Sequence, residues 1–441
     1  MLEKYQQVVH DVEPILHNGK IDKIIGMVIE STGPVVDIGT ICRIYCPKMD
    51  RWIHAEAVGF KGNRVLLMPF EDLHGVVRGS VVESTGDVLR IPVGEELVGR
   101  VIDGFGKPID DGGPIHCKRH YTVQNIPSNP LSRPRIDEQM TMGVRAIDSL
   151  LTFGKGQRMG IFSGSGVGKS TLLGMMLRNV EADVNVIALV GERGREVRDF
   201  MEKDLKEEGM RRSVLVVATS DQSAMMRLKC AMTATTIAEY FKDQGKNVLL
   251  VMDSLTRFAM AQREIGLAIG EPPVARGYTP SLYALLPRLL ERSGNFSKGS
   301  ITGVYTVLVE GDDVNEPISD TVRGILDGHI VLSRAMAMRN HYPAIDILGS
   351  ISRVMNEIAS PEHIQAASAV RAALSAYYEN FDLISIGAYK SGTNPRIDNA
   401  IANIDRINRF LQQGVDEKGS MEQTLQLLYE VCKVIGKGGA V

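Results

Sequence analysis

The sequence predicts an α/β chain with a small N-terminal β-barrel, a central core carrying a mainly parallel sheet, and a C-terminal helical domain. Three observations lead there. Across 21–90, short β-branched runs alternate with Gly, Pro and Asp turns, as in Gly26-Met-Val-Ile29, Gly33-Pro-Val-Val-Asp-Ile38 and Gly62-Asn-Arg-Val-Leu-Leu-Met68. Several short strands at such close spacing make a barrel. Across 91–359, strand and helix patterns alternate, as a parallel core requires. From 360 to 441, beginning at Ser360-Pro361, the pattern turns helical, with Ala366–Tyr378 and Ile401–Gln413 as its clear segments and a Gly436–Val441 tail expected to be disordered. Ahead of the barrel lies an arm, 1–20, in which Tyr5, Val8, Val9, Val12, Ile15 and Leu16 fall at helical spacing and Pro14 strains the last turn. Such an arm either docks on a partner or packs on its own core.

Composition sets the class. The 441 residues are 44% hydrophobic and 23% charged, ordinary for a globular chain of two or three domains. A net charge of −3 leaves no electrostatic footprint for nonspecific nucleic-acid binding. The N-terminus carries no basic-then-apolar leader, and no apolar run nears the roughly 20 residues of a membrane span, so a cytoplasmic protein is expected. Cys42, Cys46, Cys117, Cys230 and Cys432 are few, odd in number and scattered, which favours reduced thiols over a disulfide or zinc site.

The chemistry concentrates at three predicted strand ends. Ser163-Gly-Ser-Gly-Val-Gly-Lys-Ser170 lies between an apolar strand-like run, Met159–Phe162, and a helix-like one, Thr171–Leu177. Glycines there let consecutive backbone N–H groups converge on phosphate oxygens at a helix N-terminus. Gly164, Ser165, Gly166, Val167, Gly168 and Thr171 would cradle the phosphates, Lys169 reach the outer ones, and the Ser170 hydroxyl hold Mg²⁺. The pattern asks for Gly first and has Ser163; a small residue should still fit. A second apolar strand, Val184–Val190, runs into Glu192 and Arg193, which either polarise the attacking water and touch a γ-phosphate or belong to a solvated cluster of charges of both signs. A third, Val248–Met252, ends at Asp253, where a carboxylate either holds Mg²⁺ through water or opens an ordinary loop. Polar residues delivered to one edge by parallel strands are what an α/β nucleotide site needs.

At this point several long motifs carry a resemblance. Gly191-Glu-Arg-Gly-Arg-Glu-Val197 and Asp253-Ser-Leu-Thr-Arg-Phe-Ala-Met-Ala-Gln-Arg-Glu-Ile-Gly266 resemble the type III secretion and flagellar export ATPases, relatives of the catalytic subunit of rotary ATP synthases. Gly270–Pro280, His341–Arg353, Leu97–Ile109 and Thr141–Asp148 agree, so the likeness runs from Ile24 to the C-terminal helices. The resemblance implies a RecA-like core that hydrolyses ATP with Mg²⁺. It makes Glu192 the water-activating carboxylate, Lys169 and Ser170 the loop lysine and magnesium hydroxyl, and Arg193 a γ-phosphate contact. It makes Asp253 the magnesium carboxylate acting through water, Arg257 the basic residue that follows, Tyr342 the aromatic under adenine, and Arg353 the arginine that completes a neighbour's site.

It also implies a homo-hexameric ring, stalk and regulator proteins of the export apparatus, chaperone–cargo complexes, and a peripheral post at the membrane export gate. The arm and the Tyr342–Arg353 stretch look most like the flagellar branch. A virulence-type secretion ATPase and a rotary synthase subunit share the site chemistry. A hexameric nucleic-acid translocase would need stacking aromatics in its barrel. The first ninety residues or so offer the lone Trp52, and aromatics make up only 5% of the chain.

Overall fold

The computed structural model describes residues 18–309 and 316–437. The helical arm expected before the barrel, Tyr5–Leu16, lies outside them. Six antiparallel strands close the barrel: β1 (Asn18–Ile25), β2 (Val28–Ser31), β3 (Thr40–Cys46), β4 (Arg51–Lys61), β5 (Arg64–Pro69) and β6 (Val81–Val88), joined in the order β1-β2-β5-β4-β3-β6. Alternation fills its interior, with Cys42, Ile44, Cys46, Ile53, Ala55, Ala57 and Leu67 meeting at the axis. Cys42 and Cys46 share that inward face as small hydrophobes, and all five cysteines are free. Burial pushes the Cys42 thiol up to about 11. One expected strand fails. Pro34–Ile38 is irregular and leaves Val35 fully in solvent, because proline supplies no N–H for a ladder.

The core sheet is built from β7 (Val101–Ile102), β8 (Arg158–Ser163), β9 (Val184–Glu192), β10 (Ser213–Thr219), β11 (Asn247–Asp253), β12 (Ser300–Leu308), β13 (Gly328–Leu332) and β14 (Ile345–Ser352). Their order is β14-β13-β8-β12-β11-β9-β10-β7, parallel except for β14, with a short strand, Gly294–Asn295, added antiparallel to β12. The alternation expected from residue 91 onward begins later. Arg90–Val93 instead pairs antiparallel with Arg119–Thr122 in a separate two-stranded sheet.

Eight of nine β9 residues are buried, as a strand covered on both faces must be. Val186, Ala188 and Val190 face α2 (Ala224–Asp243) and α3 (Leu255–Ile269). Ile187 and Leu189 face α1 (Lys169–Asn179) and the C-terminal helices α4 (Pro361–Glu379), α5 (Pro395–Leu411) and α6 (Met421–Lys437). Two expectations shift here. Helix α5 stops at Leu411 rather than Gln413, and α6 continues through 436–437, part of the tail expected to be disordered. No helix among the described residues is long and apolar enough to cross a membrane.

Barrel and core are pinned by charge. The Lys229 ammonium on α2 is buried 2.5 Å from the Glu56 carboxylate on β4, which also accepts from Gln124 Nε2 at 3.3 Å. Removing one member of such a pair strands the other without water. Lys229→Ala should therefore lose about 3 kcal/mol in chemical denaturation. The double variant Lys229→Met/Glu56→Gln, which leaves no net buried charge, should recover most of it.

Candidate nucleotide site

The site forms where β8, β9 and β11 end on the same edge of the sheet. Ser163, the last residue of β8, is extended and hydrogen-bonds through its carbonyl to Val309 N at 3.0 Å. Its φ is not positive, so the glycine expected first in the motif has no conformational task there. Positive φ is needed later, at Gly166 (77°) and Gly168 (90°), where the chain turns into α1. Around this turn lies a cleft of about 460 Å³ lined by Gly164, Ser165, Gly166, Gly168, Lys169, Ser170 and Thr171. Its other walls include Glu192, Arg193, Glu196, Phe200, Asp253, Arg257 and Leu308. Val167 turns away into the core and anchors the loop.

Charge is tightly balanced in the cleft. Lys169 makes an ion pair with Asp253 and stands 3.9 Å from Glu192 Oε1. Burial works against the ammonium charge, but the two carboxylates outweigh it and raise Lys169. Glu192 is pushed up to about 7, first by burial and then by the negative charge of Asp253; Lys169 opposes the rise, and a hydrogen bond to Glu196 adds to it. Asp253 is fixed from β12, where Thr306 Oγ1 donates to its Oδ1 at 2.6 Å. The ensemble is a buried lysine facing more carboxylate than it can neutralise, at a helix N-terminus open to an anion.

The remaining expected residues divide. Arg257 lies along Gly191, with its Cβ, Cγ and Cδ 3.1–3.4 Å from where a Gly191 side chain would begin, and its buried Nε has no hydrogen-bond partner among the described residues. Arg193 lies at the rim with its side chain 80% exposed, 3.7 Å from Glu196. Tyr342 closes the opposite side of the loop. A Cβ placed on Gly168 would sit 3.4 Å from its ring. Arg353 is elsewhere. Strand β14 runs antiparallel, so its first residues lie at the site edge while its end, beside Gly328, lies at the far edge. Exposed Arg353 follows that far end and donates to the Arg323 carbonyl at 3.3 Å, away from the phosphate loop of its own chain.

Family models match three successive segments. These are the beta-barrel domain of the ATP synthase alpha/beta family at 21–86, its nucleotide-binding domain at 143–352, and the T3SS EscN ATPase C-terminal domain at 359–430. The chain is 56% identical to the flagellum-specific ATP synthase of Bacillus subtilis over 93% of its length and 94% of that protein's. It is 50% identical to the type 3 secretion system ATPase of Xanthomonas euvesicatoria over 94% of its length and 93% of that protein's. It belongs to the flagellar and type III secretion ATPases. Assembled EscN of enteropathogenic E. coli superposes with a TM-score of 0.88 at 47% identity, covering 94% of this chain and all of that one. EscN in complex with its central stalk EscO gives 0.87 at the same identity and coverage. The chain is thus an ATPase with the family's barrel, nucleotide-binding core and helical C-terminal domain.

Two site residues escaped sequence reasoning. Glu196 is four residues past Glu192 in the motif already singled out, a spacing that puts both carboxylates on one side of the turn. Thr306 sits in an apolar strand with nothing local to mark it. For the base, Tyr342→Phe should bind ATP nearly as wild type, while Tyr342→Ala should lose about 1–2 kcal/mol of affinity, because stacking uses the ring and not the hydroxyl. Titration calorimetry on both variants checks this, and equal affinities would place the base away from Tyr342.

Proposed function

We propose that this chain hydrolyses Mg²⁺-ATP at the subunit boundaries of a homo-hexameric ring, in the cytoplasm at the membrane face of a flagellar protein-export apparatus. The observation that carries the reading is the buried cluster of Lys169, Asp253 and Glu192 at the mouth of the glycine loop. Loop amides and Lys169 bind and neutralise the phosphates, while Glu192 orients the attacking water. Residues here also suit a divalent cation. Ser170 and Asp253 offer hard oxygen donors, and in the same cleft two carboxylates, Asp253 and Glu192, face the single Lys169 ammonium. Mg²⁺, when bound with the nucleotide, would offset charge on the β- and γ-phosphoryl oxygens.

The far-edge position of Arg353 supports a ring, since a side chain remote from its own loop is free to reach a neighbour's. By the same relationship, the partners we assign are a stalk protein, export regulators, and chaperone–cargo complexes. A virulence-type apparatus is the second reading, supported by the Xanthomonas relative and the EscN structures; the higher identity to the Bacillus protein favours the flagellar one.

Glu192→Gln should keep ATP binding and lose about 2–4 kcal/mol of transition-state stabilisation, measured as turnover and affinity on one preparation. Turnover within a few-fold of wild type would mean that another group positions the water. Ring assembly has its own check. Arg353→Ala and Lys169→Ala should each be inactive, and their mixture should regain activity, because mixed boundaries pair an intact loop with an intact arginine. An absence of rescue after mixing dissociated subunits would make the site complete within one chain.

A further inference from the structure

Beyond the end of α5, the chain does something the family motifs do not call for. Gln413, buried two residues past the last helical turn, bonds to three separate parts of the molecule. Its backbone N–H donates to the Tyr342 carbonyl at 3.1 Å. Its side-chain Oε1 accepts from Arg145 N at 2.7 Å, and its Nε2 donates to the carbonyls of Gly143 at 3.0 Å and Glu417 at 2.9 Å. Both amide donors and one acceptor position are therefore used, and the side chain fixes where its own backbone N–H points.

What it fixes is held from behind. Gly143 has φ of 72°, and a Cβ there would lie 2.2 Å from Asn179 Cβ at the end of α1, the helix that starts at Lys169. Asp148 accepts the N–H groups of Met142 and Gly143 at 2.8 and 2.9 Å, so this loop cannot swing independently. Arg145 donates to the Phe410 and Gln412 carbonyls at 3.1 and 3.0 Å, and buried Arg178 of α1 donates to the Val415 carbonyl at 2.7 Å. Residues 410–417 thus join the base of the phosphate helix on one side to the Tyr342 main chain on the other.

We infer that Gln413 is a positioning residue for base recognition: its side chain seats the segment whose backbone holds Tyr342 against Gly168. Adenine affinity then depends on how the C-terminal helical domain is seated, while phosphate binding does not. This rests on the reading of Tyr342 as the base-stacking residue, and it goes beyond that reading by naming what sets the ring's position. Glu at 413 keeps the acceptor for Arg145 N but presents oxygen to the Gly143 and Glu417 carbonyls, so it removes the donors without changing shape.

The test uses the assembled full-length ATPase with Tyr342→Ala, Gln413→Ala, Gln413→Glu and the double variant Tyr342→Ala/Gln413→Ala. Both Gln413 variants should weaken ATP binding by about tenfold, the scale of a buried hydrogen bond left unmade. Inhibition by inorganic tripolyphosphate, which has no base, and kcat should stay within about twofold of wild type. The double variant should be no worse than Tyr342→Ala, since both changes remove one effect. Normal ATP affinity in a folded Gln413→Glu, with Tyr342→Ala impaired, overturns the inference and leaves the base reading standing. Equal weakening of ATP and tripolyphosphate overturns it too, as a general structural role. Normal affinity in Tyr342→Ala overturns the base reading, and the inference with it.

Discussion

A buried ammonium held between two carboxylates is costly unless its geometry is fixed, and Lys169 between Asp253 and Glu192 is the constraint around which the core is arranged. The three groups come from a helix start and two strand ends far apart in sequence, so the sheet must deliver them in register. It does so through parallel pairing: Leu189 opposite Asp253 sets β9 against β11, and β12 lies between β11 and β8 with Thr306 reaching Asp253. A slip of one residue in β9 or β11 would turn a carboxylate into the apolar layer. Near-continuous burial of β9 on both faces makes such a slip expensive, since its even and odd residues belong to different cores.

The flanking domains attach to this edge by different means. The barrel is joined through buried charge, Lys229 to Glu56, at a distance from the cleft. The helical domain packs its apolar faces on the same layer as Ile187 and Leu189, and main-chain hydrogen bonds tie it there, from Gln413 to the Tyr342 and Gly143 carbonyls and from Arg178 of α1 to the Val415 carbonyl. A buried pair that loses its match is heavily penalised, which suits a fixed attachment.

The sequence was legible where its signals are local. Strand, glycine turn, lysine and helix lie within a span of some twenty residues, so the phosphate loop and the flanking strands at Val184 and Val248 could be read directly, and the barrel's turn-rich pattern likewise. The Pro34 run misled because β-branched residues outweighed the missing N–H, and the hairpin beginning at Arg90 misled because apolar runs do not reveal their pairing partner. The end of α5 was unreadable for a physical reason. Its terminal carbonyls are taken by Arg145, some 265 residues upstream, and no local signal announces such a cap. Thr306 and Gln413 were hidden for the same cause: each acts on residues brought near only by the completed fold.

The placement of Tyr342 and Arg353 on either side of one strand has a consequence of its own. Tyr342 precedes β14 at the site edge and Arg353 follows it at the far edge; the strand bulges between Asp346 and Ile351, so its two ends pair with Leu332 and Gly328, four residues apart on β13. At roughly 3.3 Å per residue, that stretch of β13 separates the two edges by about 13 Å, still more than an arginine side chain can span. In this arrangement Arg353 is bonded to the Arg323 carbonyl at the far edge and does not enter the cleft of its own chain. A subunit that offers its tyrosine to its own cleft must offer its arginine outward, and repetition of that relation is head-to-tail. Head-to-tail contacts either close into a ring or grow into a filament.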